Sequence, residues 1–160
     1  MIKISILCVG KLKEKYLAEG IKEYLKRLTP YAKVDISEVP DEPCPENAPM
    51  AIEEQVRQKE ADKLAKKLRP GTFLVVLDLK GKMLSSEDMA GKIQDLALSG
   101  KSDLTFIIGG SIGLAPSLVE RANLLLALSN LTFPHQLVRL LLMEQIYRWF
   151  KIIHNEPYHK

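Results

Sequence analysis

The stretch Phe106–Leu114 reads FIIGGSIGL, and it joins an apolar run to a loop that contains three glycines. The run Leu104–Ile108 has the length and composition of a strand that is buried on both faces of a sheet. Glycine adopts backbone conformations that strain other residues, and it lets the backbone approach a ligand closely. The stretch therefore predicts a buried strand that ends in a glycine loop, which is either a tight turn or part of a ligand-binding site.

Four more strands and five helices are predicted around this strand. The strands are expected at Ile2–Val9, Val34–Val39, Phe73–Leu79 and Leu124–Leu128, with a turn at Gly81–Leu84 and a Pro-rich loop at 40–49. The helices are expected at Lys13–Leu28, Met50–Arg69, Ser85–Leu98 and Pro116–Asn123, and from the loop 129–136 through Ile153. Ser85 and Asp88 have the spacing of a capping box. Strands that alternate with helices indicate an α/β fold with a parallel sheet, and we expect residues 1–160 to form one domain.

Composition indicates an ordinary globular protein. The chain has 160 residues and a formal net charge of +3, which permits a nucleic-acid partner without requiring one. Cys8 and Cys44 belong to no metal-ligand pattern, so no metal is expected. Because no apolar run approaches the ~18 residues of a membrane span and no signal peptide is recognisable, we expect a cytoplasmic protein that does not contact a membrane.

The glycine loop does not match the common nucleotide-binding motifs. A dinucleotide fold places its glycines after the first strand, and a P-loop ends in Lys-Ser or Lys-Thr, whereas neither pattern occurs here. Glycines or turn residues do follow three strands of the predicted sheet, in the segments 77–81, 108–110 and 128–134. Since open α/β sheets bind ligands at the carboxyl ends of their strands, a pocket shared by these segments is favoured over three unrelated tight turns.

Several of these segments also carry a family resemblance that covers nearly the whole chain. The stretches are LCVGKLKEKY (7–16), VLDLKGKMLSSE (76–87), FIIGGSIGL (106–114), LSNLTFPHQLVRLLLMEQIYRWFKI (128–152) and EPYHK (156–160). Together they resemble the bacterial 23S rRNA pseudouridine N3-methyltransferases, the ribosomal RNA large subunit methyltransferase H family of the SPOUT superfamily. The combination of a Gly-Gly loop, TFPHQ and a terminal YHK is far more specific than any one stretch.

The resemblance implies a fold, a cofactor and a substrate. The fold would be the parallel-sheet α/β/α SPOUT methyltransferase fold with a C-terminal trefoil knot. The enzyme would be a homodimer that uses S-adenosyl-L-methionine to methylate N3 of a pseudouridine in 23S rRNA, in the stem-loop at the subunit interface of the assembled ribosome. Carried over by position, the cofactor would contact Leu77, Gly109, Leu128, Ser129, Asn130, Leu131, Thr132 and Phe133.

The catalytic base stays open among four candidates. Neutral pseudouridine N3 carries a proton, so a base or a cation that stabilises the resulting anion is needed. His135 either serves this role or merely opens the last helix, and Arg148 either binds the anion or pairs with Glu144 one turn away. The resemblance places Tyr158 and His159, in the terminal tail, in the active site. His154 is expected to be solvated, and Arg139 offers a second cation for phosphate or the anion.

The last helix is apolar over most of its circumference, which indicates burial in a core or a dimer interface. A second function, that of a non-catalytic ribosome-binding factor, would use the same basic surface without binding the cofactor. An oxidoreductase is disfavoured by the position of the glycines.

Overall fold

The computed structural model describes residues 1–160, and it contains a five-stranded sheet with five helices. The elements are β1 (Ile2–Val9), α1 (Lys15–Leu28), β2 (Ala32–Val39), α2 (Met50–Ala65), β3 (Phe73–Met83), α3 (Ser86–Leu98), β4 (Asp103–Ile108), α4 (Pro116–Val119), β5 (Leu124–Ala127) and α5 (His135–Ile153). Every predicted strand and helix is therefore present. Ser85 and Asp88 form the predicted capping box at the start of α3.

All strand pairs are parallel, and the strand order is β2-β1-β4-β3-β5. This arrangement confirms the predicted α/β class. Because β4, β3 and β5 are neighbours, the three chain segments that follow them leave the sheet side by side. The sheet order thus brings together the segments that sequence analysis assigned to one pocket.

Helices cover both faces of the sheet, because the buried side chains of β1 alternate between two separate cores. Ile4, Ile6 and Cys8 belong to a core with α1, α3 and α5, which also contains Trp149 and Phe150. Leu7 and Val9 belong to a second core with α2 and α4. Burial raises the pKa of the Cys8 thiol to about 11, which agrees with a buried apolar role for this residue.

The predicted turn at Gly81–Leu84 is wrong, because β3 continues to Met83. Leu77 and Lys82 both pair with Leu126 of β5, so the residues between them bulge out of the sheet before the chain returns to it. Gly81 is the last residue of this bulge, and its backbone lies directly against the backbone of β5. A Cβ atom at Gly81 would lie 2.7 Å from the Leu126 carbonyl carbon, closer than real side chains approach a backbone.

Two helices are shorter than predicted because polar side chains near their ends bind distant strands. Helix α2 ends at Ala65, and Arg69 binds both carboxylate oxygens of Asp103 in β4 at 2.8 Å. Helix α4 ends at Val119, and Asn123 exchanges two hydrogen bonds with the backbone of Leu74 in β3. None of the five helices combines the length and the apolar character that a membrane span requires.

Candidate cofactor pocket

A cavity of about 360 Å³ lies at the carboxyl ends of β3, β4 and β5. Its walls come from the β3 bulge, the glycine loop and the segment between β5 and α5. The sequence-predicted cofactor residues line it with the exception of Asn130, which is exposed; those in the wall are Leu77, Gly109, Leu128, Ser129, Leu131, Thr132 and Phe133. The structure therefore places one cavity where sequence analysis predicted a shared pocket.

Local hydrogen bonds shape two of the three segments. In the β3 bulge, the Asp78 carboxylate accepts a hydrogen bond from the Lys80 backbone N–H at 2.8 Å. In the segment after β5, the Ser129 hydroxyl accepts one from the Leu131 N–H at 2.9 Å. Such side-chain turns are a local preference of Asp and Ser, and they hold both segments in tight bends at the cavity wall.

The glycine loop folds back on itself between β4 and α4. The Gly113 N–H donates to the Gly110 carbonyl at 3.1 Å, and Gly113 has a φ of 83°, which other residues rarely adopt. A Cβ atom at Gly109 would lie 2.8 Å from Leu114 Cγ. The loop packs tightly within itself, and its three glycines line the cavity together with Leu114.

The cavity suits a ligand with a flat apolar part and few charges. Leucine and phenylalanine side chains supply its walls, and backbone groups of the loops supply donors and acceptors. A dinucleotide site would place its pyrophosphate on the first turn of a long helix. The helix after the glycine loop, α4, has only four residues and begins with Pro116. The geometry therefore agrees with the sequence argument against a dinucleotide.

Of the four catalytic candidates, only His135 lines this cavity. It is the first residue of α5, as the simpler interpretation of the sequence expected. Burial lowers the pKa of the His135 imidazole, and the positive charge of Arg139 lowers it further. An imidazole with a lowered pKa is neutral near pH 7, and one of its nitrogens can accept a proton.

The other three candidates form a separate cluster on α5 and the C-terminal tail. His159 Nδ1 lies 3.1 Å from Arg148 Nη1, and its Nε2 lies 2.5 Å from a Glu87 carboxylate oxygen. The Arg148 guanidinium lies 4.8 Å from the Tyr158 ring centroid, and its Nε donates to Glu144 at 2.8 Å. The tail is therefore packed against the protein rather than loose.

A second cavity of about 390 Å³ connects this cluster to the first one. Glu144 lines the second cavity, which shares four wall residues with the first: Leu126, Leu128, Ser129 and Phe133. Burial raises the pKa of Tyr158 to about 12, so its phenol stays protonated near pH 7 and is a poor base. The cluster thus contains a cation and an imidazole, and none of its three candidate residues lines either cavity.

Arg139 does not have the role that sequence analysis considered for it. Its side chain is 2% exposed, and its guanidinium binds Glu38 and the backbone carbonyls of Val9 and Gly10. A guanidinium committed to these partners is not available to bind phosphate or a deprotonated nucleobase.

His154 is exposed, as expected, and lies beside Tyr31. Asp78 and Lys80 belong to the predicted segment 77–81 and line the cavity, whereas the wall residues Leu114 and Val138 lie outside the three predicted segments, because no local pattern marks them.

A family model described as "Predicted SPOUT methyltransferase" matches residues 2–159. The chain belongs to the SPOUT methyltransferase family. Curated relatives of this SPOUT methyltransferase match over their full length and share the name "Ribosomal RNA large subunit methyltransferase H". The protein from Pelotomaculum thermopropionicum is 58% identical over 159 residues, which are 99% of each chain. Those from Acetivibrio thermocellus and Enterococcus faecalis are 53% and 52% identical over 99% of this chain and 100% of their own.

These matches confirm the resemblance seen in the sequence, and with it the SPOUT fold class and methyltransferase activity. The candidate site residues follow from the geometry of the cavity and of the cluster beside it. Each segment that the resemblance assigned to the cofactor reaches the cavity, and the catalytic candidates divide between the cavity wall and the adjacent cluster.

Proposed function

We propose that this SPOUT methyltransferase transfers a methyl group from S-adenosyl-L-methionine to N3 of a pseudouridine in 23S rRNA of the assembled ribosome, in the cytoplasm. The observation that carries the proposal is the convergence of three strand ends on one cavity that is lined by seven of the eight predicted cofactor residues. The relatives named for methylation of large-subunit rRNA support the choice of substrate.

The cavity fits the proposed cofactor by its size and its wall chemistry. Leu77, Leu128 and Phe133 offer apolar surfaces to the faces of an adenine ring, and the loop backbones offer donors and acceptors to its edge. The bound cofactor would supply an electrophilic methyl group on positively charged sulfur. The remaining tasks of the chain are to orient the two reactants and to accept the proton of the acceptor nitrogen.

His135 and the Arg148–His159 pair would divide the proton chemistry. His135 is neutral near pH 7 and lines the cofactor cavity, so it can take the N3 proton directly or through water. Arg148 binds Glu144 in the wall of the adjoining cavity and contacts His159, and its guanidinium would stabilise the pseudouridine anion that forms when N3 loses its proton. The proposal assigns Tyr158 a packing role beneath Arg148 rather than that of a base.

The proposal includes a trefoil knot in the C-terminal half. Its support is the close passage of the β3 bulge over β5, where only a glycine fits between the two backbones.

The proposal also includes a homodimer formed beside the cofactor cavity. One face of α5, with Leu142, Ile146 and Trp149, is already buried in the chain's own core, so the apolar character of that face needs no partner. Apolar surface remains elsewhere: Leu79 and Leu131 line the cavity while 58% and 69% exposed. A second chain that covers this rim and the outer face of α5 would remove the apolar surface from water.

Light scattering at micromolar concentration tests the dimer. The protein should have twice its chain mass of 18.0 kDa, and Leu141→Lys, at a half-buried position of α5 in the wall of the second cavity, should shift the mass toward that of one chain. The matched control is Leu98→Lys at an 81% exposed position on α3, which should stay dimeric. A wild-type monomer would contradict this part of the proposal.

The substrate is tested by mass spectrometry of rRNA from cells that lack this protein. We expect one pseudouridine of 23S rRNA to lose a methyl group and to regain it when the wild-type protein is restored. Purified protein should methylate assembled ribosomes and act weakly on naked 23S rRNA, because a net charge of only +3 gives little affinity for free RNA. Unchanged methylation in the deletion strain, or failure to bind S-adenosyl-L-methionine, would refute the proposed function.

A further inference from the structure

Glu60 of α2 is a buried carboxylate with an unpaired oxygen. The residue is 3% exposed, and its Oε2 accepts a hydrogen bond from the Glu42 backbone N–H at 3.0 Å. Its Oε1 is buried and has no hydrogen-bond partner. Glutamate is rarely buried unless it is paired, because an isolated charge loses its hydration without compensation. Glu60 is therefore a group that a bound partner would satisfy.

The cationic side chains nearby are already committed to other partners. Lys63 pairs with Glu42 at 2.7 Å and donates to the Pro40 carbonyl. Arg57 donates to the Ile112 carbonyl at 3.2 Å and pairs with Glu53. Arg139 binds Glu38 and the carbonyls at the end of β1. The chain itself thus leaves Glu60 Oε1 without a positive partner.

Glu60 lines a small cavity of about 60 Å³ that adjoins the cofactor cavity. His135 and Gly110 belong to the walls of both cavities. Because residue 110 is glycine, no side chain fills the space between its backbone and Glu60; a Cβ atom there would lie 3.8 Å from Glu60 Oε1. The small cavity is large enough for a polar group the size of water, and Asp41 adds a further carboxylate to its wall.

We propose that Glu60 binds the α-ammonium group on the amino-acid end of the methyl donor, an assignment that rests on the proposed function. Adenosylmethionine carries one ammonium nitrogen, and the small cavity offers it a carboxylate that no residue of the chain neutralises. Burial raises the pKa of Glu60 above its usual value, and a bound ammonium would favour the ionised carboxylate. The pair would fix the orientation of the donor, with its adenosine part in the larger cavity.

The test compares two ligands that differ in the amino-acid group. S-adenosylhomocysteine carries the ammonium and the carboxylate, whereas 5′-methylthioadenosine has the same adenosine and thioether but neither charge. By calorimetry, Glu60→Gln should weaken S-adenosylhomocysteine binding about 10-fold or more and leave 5′-methylthioadenosine within about twofold of wild type. Glu54→Gln, an exposed carboxylate on the same helix, is the matched control and should change neither affinity.

Three results would overturn the assignment. An equal loss of both affinities would show that Glu60 only shapes the glycine loop, and unchanged affinities would show that it binds nothing on the ligand. If Glu60→Gln fails to fold, wild-type protein is titrated with S-adenosylhomocysteine and with its analogue that lacks the amino group, and equal affinities would then refute the assignment. Failure of wild type to bind any of these ligands would instead refute the proposed cofactor.

Discussion

Alanine in place of Gly81 is expected to reduce the free energy of unfolding by ~3 kcal/mol and to abolish measurable cofactor binding. A Cβ atom at this position would lie 2.7 Å from the Leu126 carbonyl carbon and 2.8 Å from the Ala127 nitrogen. Both atoms belong to the backbone of β5, which its pairing with β3 holds in place. The β3 bulge would have to move instead, and that bulge carries the cavity residues Leu77–Lys80.

Thermal unfolding and calorimetry with S-adenosylmethionine measure these two effects. For a chain of this size, ~3 kcal/mol corresponds to a decrease of about 10 °C in the midpoint. Gly91→Ala is the control, because Gly91 lies inside α3 with open space around it, and alanine there should stabilise the helix by about 0.5–1 kcal/mol. A Gly81→Ala protein that melts and binds like wild type would show that the two strands can separate without consequence.

Removal of the tail residues Tyr158–Lys160 should lower methyl transfer to ribosomes about 100-fold or more while changing cofactor affinity by no more than about threefold. The tail places His159 between Arg148 and Glu87. The Tyr158 ring packs on the Tyr147 ring, with 4.8 Å between the two ring centroids. None of the tail residues lines the cofactor cavity. The deletion therefore removes His159, which the proposed function assigns to the acceptor base, and leaves the walls of the proposed cofactor cavity intact.

Single-turnover methylation of ribosomes and equilibrium binding of S-adenosylmethionine separate the two roles of the tail. His159→Ala should reproduce most of the loss of transfer, and His154→Ala is the matched control, since that imidazole is exposed at the end of α5. A melting curve of each variant shows whether the fold survives. Equal losses of transfer and binding would indicate that the tail only supports the fold.

The elements of the fold were predictable because their signals are local. Continuous apolar runs mark the buried strands β3 and β4, and the capping box at Ser85 marks the start of α3. The ends of several elements were not predictable. Arg69 and Asn123 shorten two helices by binding strand residues that lie 34 and 49 positions away in the sequence, respectively. Local patterns contain no information about such partners.

The wall of the first cavity was predictable to the extent that a motif carries its residues. The glycine loop and the segment 128–133 were recognisable from the resemblance, and all of that set except Asn130 lie in one cavity wall. The commitment of Arg139 to Glu38 and the unpaired state of Glu60 had no sequence signal. Both depend on which groups meet after folding. Arg139 binds Glu38 across 101 residues of sequence, and Glu60 accepts its hydrogen bond from a backbone N–H 18 residues away.

The amino-acid sequence by itself determined the order of strands and helices, the position of the glycine loop and the family to which the chain belongs. Only the tertiary structure decided that β3 lies between β4 and β5, that the four catalytic candidates divide between two neighbouring sites, and that a glycine separates two backbones at residue 81. The physical reason is the distance along the sequence between the residues that interact. Helix periodicity, caps and turns depend on residues a few positions apart, whereas strand order and side-chain partners depend on contacts between segments that the chain brings together only when it folds.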